Sequence, residues 1–357
     1  MTTRTRNFVI VSLTVLGVGL GTGLVAYYVG FPAGALGRQG GPEELAFVPR
    51  DATAIAFANV HEIMTSELRQ KVRRVLPMQE NGQRELENQT GINIETDVDR
   101  VVACLYPDRD NKTKGAGMVL ARGRFDEVKI EALMRERGAV VETYNGKRLV
   151  IADHRAINDL DLAPGDTRTL RRHGPPQSFA VSFMEPGLVA IGSTQLIRSA
   201  IDLHHAGNNP QKGLESVTGN EELMKLVRSM DDGNAWAVGR FDALGSHARL
   251  PEAVARQIPA ITWVSASGHV NGGIRGVVRA EARDDEAANN LRDVVRGFLA
   301  LAKLQTGAKP QLQMMMQSLE LSGTGKTVAL SFTVPAEVFD LVGAVAGKAI
   351  KPEAEPR

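Results

Sequence analysis

Gly323-Thr-Gly-Lys-Thr327 is the segment of this chain closest in form to a phosphate-binding loop. Such a loop needs G-x-x-x-x-G-K-[ST] spacing and must lead from a strand into a helix, so that backbone amides cradle the phosphates. Position 320 is Glu320, and an alternating apolar run, Val328–Val334, follows. The segment therefore reads as a hairpin turn. The seven histidines, His61, His154, His173, His204, His205, His247 and His269, form neither H-x-x-x-H nor H-E-x-x-H spacing. The only cysteine, Cys104, excludes an intramolecular disulfide and a Cys-based zinc site. It sits in an apolar run, where a thiol behaves as a small inert hydrophobe. No G-x-S-x-G elbow is present to make a nucleophile. No metal, cofactor or catalytic residue is expected.

Two features are candidates for contact rather than catalysis. Gly123-Arg124-Phe125-Asp126 recurs as Gly239-Arg240-Phe241-Asp242. Arg124 and Arg240 are thus candidate ligand contacts, although a strand end, an apolar plug and an Asp N-cap account for the same residues. Met314, Met315 and Met316 are adjacent, so they cover more than one face of a helix. They are candidates for an adaptable apolar surface, with core filling as the simpler reading.

The elements that carry these residues repeat. Asp51–Val60 resembles Asp232–Phe241, Glu127–Gly138 resembles Glu286–Gly297, and Gly146–Ala152 resembles Gly325–Ser331, in the same order. A duplication is expected. In the first copy, strands are expected at 53–60, 98–106, 117–124, 140–144 and 148–152, with a type I′ turn at Asn145-Gly146. One helix is expected from a capping box at Asn59-x-x-Glu62, with Met64, Leu68, Val72 and Val75 as its stripe. A second starts at Asp126. A hairpin at 179–191 and a helix capped by Ser193, with Leu196, Ile197, Ala200, Ile201 and His204 on one side, complete the copy. The second copy is expected to hold strands at 235–241, 261–270, 276–282, 319–321 and 327–334, and helices at 250–257 and 285–304. The strand–helix–strand–strand–helix–strand order is ferredoxin-like. The expected fold class is α+β: an N-terminal transmembrane helix followed by two related ferredoxin-like antiparallel-sheet units, 44–207 and 208–350. A disordered tail, 351–357, ends the chain, and Asp153–Gln177 is expected to be an exposed insertion.

Phe8–Phe31 is uncharged over 24 residues, about 36 Å as a helix and enough to cross a bilayer core. Arg4 and Arg6 precede it, and the next basic residue is Arg38. The positive-inside rule then places the N-terminus in the cytoplasm and the rest outside, on the inner membrane. Segment 1–31 is the expected tip and anchor, and Gly/Pro-rich 32–43 a flexible stalk. Ala33-Gly34-Ala35 also resembles a signal-peptide cleavage site, though the apolar run is longer than such peptides need. Gly17/Gly21 and Gly19/Gly23 give two G-x-x-x-G pairs, which suit a homodimer of membrane helices.

The chain has 42 basic and 41 acidic residues. With three arginines and no acid before residue 42, the body carries a net charge of −2. That balance and an aromatic content of 5% argue against nucleic-acid binding. Val48-Pro-Arg-Asp-Ala52, Thr90–Arg100 and Arg296–Ala302 resemble segments of a group of uncharacterised bacterial envelope proteins. The resemblance implies an extracytoplasmic setting and brings no catalytic residues. The leading expectation is a single-pass, membrane-anchored, extracytoplasmic binding or scaffolding protein with a protein partner in the envelope. A carrier of lipid or another apolar ligand is the alternative, and an envelope hydrolase the least favoured.

Overall fold

The computed structural model describes residues 41–75, 87–88, 91–107, 116–152, 179–207, 209, 213–230, 233–241, 260–305 and 310–339. The strands, in chain order, are β1 (Ala54–Ala58), β2 (Val98–Leu105), β3 (Gly117–Gly123), β4 (Val140–Tyr144), β5 (Lys147–Ala152), β6 (Phe179–Glu185), β7 (Leu188–Ser193), β8 (Ala235–Arg240), β9 (Ile261–Val270), β10 (Gly273–Ala282), β11 (Glu320–Ser322) and β12 (Thr327–Pro335). The helices are α1 (Val60–Thr65), α2 (Glu67–Val75), α3 (Ile94–Asp97), α4 (Glu127–Glu136), α5 (Thr194–Ala206), α6 (Glu221–Arg228), α7 (Asp285–Gln305) and α8 (Pro310–Gln317). All the strands belong to a single 12-stranded sheet in the order β11-β12-β10-β9-β8-β1-β2-β3-β7-β6-β5-β4.

The centre of this sheet is self-complementary. Ala56 faces Ala237, Ala54 faces Gly239 and Ala58 faces Ala235. The matched sequences align Ala54 with Ala235, Ala56 with Ala237 and Ala58 with Gly239. Each cross-strand pair therefore has its symmetry mate in the same ladder, as at a two-fold interface. Outward from this centre, β2 and β3 on one side correspond to β9 and β10 on the other. The helix match falls on α4 and α7, and the third match on β5 and β12. The halves differ in one insertion. β12 pairs directly with β10 over nine residue pairs, whereas the β6–β7 hairpin stands between β3 and β5.

Core residues lie on both faces. On one face Ile55, Val102, Leu120, Leu188 and Trp236 pack with Leu45 and Val48, with Ile197 and Ile201 of α5, and with Leu223 and Met224 of α6. On the other, Val101, Ala121, Val150, Val181 and Val189 pack against Ile63 and Met64 of α1, Phe125, and Met134 of α4. Ala287, Ala288 and Leu291 of α7 cover Ala282 and Val328. Neighbouring residues such as Val101 and Val102, or Leu149 and Val150, are thus buried on opposite faces.

Several local expectations match the structure. Asn145 (φ 45°) and Gly146 (φ 79°) both take the left-handed conformation that a type I′ turn demands. Asp126 accepts a hydrogen bond from the Lys129 amide at 2.9 Å and caps α4. Others are corrected. The helix expected from Asn59 to Val75 breaks at Ser66, whose ψ is 150°. The Ser66 hydroxyl donates to the Ile63 carbonyl at 2.6 Å and accepts from the Arg69 amide at 3.1 Å, ending α1 and starting α2. Asn59 makes no capping bond. Its amide donates instead to Glu62 Oε2 at 2.9 Å, which uses up the capping box side chain to side chain. Leu203 rather than His204 completes the buried side of α5. Glu43, expected in the stalk, instead opens a 3-10 helix, Glu43–Phe47, in which Glu44 and Leu45 are buried.

The expected fold class and location are corrected in two respects. Two separate ferredoxin-like units are not formed. That fold needs a parallel β-α-β crossover, but β2 returns antiparallel beside β1, and β1 and β8 join the halves into one sheet. Nor is any helix of the described residues long and apolar enough to cross a membrane, so the described structure has neither the expected transmembrane helix nor any element that supports the inner-membrane location. The segment 8–31, its glycine pairs, the 250–257 helix, the 153–177 insertion and the 351–357 tail lie outside the described residues.

Candidate functional site

The Gly-Arg-Phe-Asp repeats do not converge. Gly123 ends β3 opposite Val98, the first residue of β2. Gly239 nears the end of β8 opposite Ala54 of β1, and Ala54 in turn faces Leu105, the last residue of β2. Arg124 and Arg240 therefore stand at opposite ends of the strands and cannot share a ligand. They also occupy positions that the two-fold does not relate, since β3 corresponds to β10 and β8 to β1.

Arg124 lies at a tight corner. Its amide donates to the Asp97 carbonyl at 2.6 Å. Its guanidinium donates to the Thr96 carbonyl and to Asp97 Oδ1. A Cβ on Gly123 would lie 2.1 Å from the Asp97 carbonyl oxygen, so only glycine lets β2 and β3 approach here. Asp97, Gly123 and Arg124, with Gly91, Phe125, Asp126 and Gly187, line an open concavity of about 510 Å³. Burial alone would raise the Asp97 carboxyl, but hydrogen bonds from the Asn93 amide, Thr96 and Arg124 hold it below its ordinary value. The corner is thus an ion pair inside a hydrogen-bonded turn, and Arg124 itself is 71% exposed.

The methionines divide. Met316 is buried, Met315 is half-buried, and Met314 stands exposed on α8. The glycine-rich turn at 323–327 joins β11 to β12. There the Arg292 guanidinium donates to the carbonyls of Gly325 and Thr327 at 2.8 and 2.9 Å. A loop that offers carbonyls to an arginine has the wrong polarity for phosphate. Cys104 is buried, and desolvation pushes its thiol up to about 12, which removes it as a nucleophile. Among the described residues no group of three or more His, Cys, Asp or Glu is placed to hold a metal ion.

Sequence reasoning missed the densest charge cluster. Arg100 of β2 and Arg122 of β3 are register partners. Both guanidinia converge on Glu44, whose Oε1 accepts from Arg100 Nε and Arg122 Nε at 2.7 Å each. Glu43 pairs with both arginines, and Glu185 Oε2 lies 3.3 Å from Arg122 Nη2. Burial would lower the Arg122 pKa, but Glu44, Glu43 and Glu185 together hold it above its ordinary value. His204 Nε2 lies 3.7 Å from Glu185 Oε1, and its ring is 5.5 Å from that of Phe47. Burial first, then Lys147 and His205, depress His204, with Glu185 opposing them. The only signal in the sequence was a Glu-Glu pair before an apolar run, which also suits an exposed helix start.

No family model matches this chain, and no curated protein does. Among solved structures it is similar to the one titled "Structure of crystal form I of TP0453", at 7% identity and a TM-score of 0.43. That likeness covers 86% of this chain and 99% of the other.

Proposed function

We propose that this chain is a binding or scaffolding protein that engages a protein partner through the helical side of its second half. The observation that carries this reading is a cluster of exposed apolar side chains on α7 and α8. Phe298 and Leu301 are about half exposed, Leu304 is 83% exposed and Met314 is 48% exposed. At spacings of three residues, Phe298, Leu301 and Leu304 track one flank of α7, beside the stripe that Leu291 and Ala302 bury. Gly297 shares that flank, and a Cβ added to it would meet nothing within 4 Å. Isolated exposed apolar residues need no explanation, but a row of them on a helix supports docking into a partner's apolar groove.

The test is affinity capture of the full chain beside a Leu301→Ser/Leu304→Ser variant with an unchanged melting temperature. A partner held by the native chain and lost from the variant supports the proposal. Equal recovery by both, or a native chain that emerges alone, counts against it. Native mass spectrometry of the same pair separates the other class: a bound lipid lost with the substitutions makes the chain a carrier instead.

A further inference from the structure

The cluster at Glu44 carries an inference about a binding site. Arg100 and Arg122 face each other across an antiparallel pair, and like charges so placed repel. Something anionic must sit between them, and Glu44 does, at 1% exposure. Its Oε1 takes both Nε–H donors, while Oε2 is buried and takes no hydrogen bond. Such a carboxylate is held by charge-assisted bonds against a large desolvation cost. The residues after it are read as closely. Leu45 and Val48 are fully buried in the core of that face, and Phe47 packs on His204. Glu43–Val48 thus lies on the sheet as a short peptide lies in a groove. It contributes a carboxylate, an apolar side chain next to it, an aromatic ring three residues on and an apolar side chain after that.

We propose that Arg100 and Arg122, with the pockets for Leu45 and Val48, form a binding site for an acidic–apolar peptide segment. Residues 43–48 are its ligand in cis, a strap that the same pattern supplied in trans can replace. The strap is built on a five-residue 3-10 helix and adds no strand to the sheet, so its departure breaks no ladder. It is tied down behind by Val217 N–H to the Val48 carbonyl at 2.7 Å and by the Arg50–Glu215 ion pair.

The experiment uses the full chain with Glu44→Ala, and with Glu44→Ala/Leu45→Ala, followed by thermal unfolding. Ligand binding raises the melting temperature by mass action. Each variant is expected to melt lower than the native chain, by about 5 °C or more. Sodium formate is expected to restore part of the Glu44→Ala loss where sodium chloride at equal ionic strength does not. A peptide of residues 41–50 is expected to restore the double variant, and the same peptide with Glu44→Gln is not. Adding Arg122→Gln should abolish both rescues. Formate acting like chloride, or a Gln peptide acting like the Glu peptide, overturns the carboxylate site. Rescue by formate but not by the peptide overturns the segment-binding part, leaving a small-anion site. A variant that stays unfolded in both ligands counts against the proposal as well.

Discussion

The two halves of the sheet start from the same pattern and end in different states of cover. Strands β1–β3 and β5–β7 carry buried residues on both faces, and β6 and β7 read as nearly unbroken apolar runs, Phe-Ala-Val-Ser-Phe-Met and Leu-Val-Ala-Ile. In β9, by contrast, Trp263, Ser265 and Ser267 alternate with Val264 and Ala266. The β6–β7 hairpin and α5 make the difference. They widen the first half by two strands and lay a helix across Leu188 and Ala190. The second half lacks that addition and shows its large apolar residues outward on α7 and α8. The hairpin and α5 give the first half a two-sided core, and the second half, without them, leaves a row of apolar side chains on α7 exposed.

The largest effect is expected at the join. Ala56→Pro removes a ladder hydrogen bond from a central strand and should cost on the order of 3 kcal/mol or more. Hydrogen exchange read on β3 and β10 should show both halves losing protection together. If β10 kept its protection while β3 lost it, the single-sheet comparison would break. Next, Met184→Ala, at a fully buried site of the first half, should cost about 3 kcal/mol. Leu301→Ser on the second half should stay within about 0.5 kcal/mol. Urea unfolding of the two variants measures that contrast directly, and equal losses would mean α7 is covered after all. Gly297→Ala should stabilise by about 0.5–1 kcal/mol, because the site is helical and open. The smallest effect concerns pH. His204 is depressed in the folded state, so unfolded chains bind its proton first. Stability should fall as pH drops below about 6.5 and level off below the folded pKa. His204→Gln should flatten that slope, measured as melting temperature against pH.

Much of the frame was legible because strand alternation and turn chemistry are local. Ile261–Val270 and Val140–Tyr144 emerge with the expected ends, and Asn145-Gly146 turns as its residue types require. The matched segments Asp51–Val60 and Asp232–Phe241 stood out for the same reason, since both keep their alternation. Strand order was not legible. Whether β2 returns beside β1 depends on which partner each edge finds, and the paired residues, Ala54–Ala58 and Val101–Leu105, are all small or apolar. The break at Ser66 was hidden because its helical stripe continues on both sides. The charge cluster was hidden for a different reason. Glu44 and Arg122 are 78 residues apart in the chain, and no spacing rule connects them. Conversely, the paired Gly-Arg-Phe-Asp motif looked like a shared site only because sequence carries no sense of which end of a strand a residue occupies.

The pairing of Ala56 with Ala237 also sets a schedule for synthesis. β1 emerges early and finds β2 soon after, but its other edge waits for β8. At typical rates of about 5–20 residues per second, the delay between the two is roughly 10–35 s. Throughout that interval the nascent first half shows a row of unpaired amides and carbonyls above small side chains. Because the join is two-fold, the complement of that edge is a strand much like itself. Two neighbouring nascent chains could therefore pair β1 to β1 before either β8 exists, so the ribosome's pace bears on which partner this edge meets first.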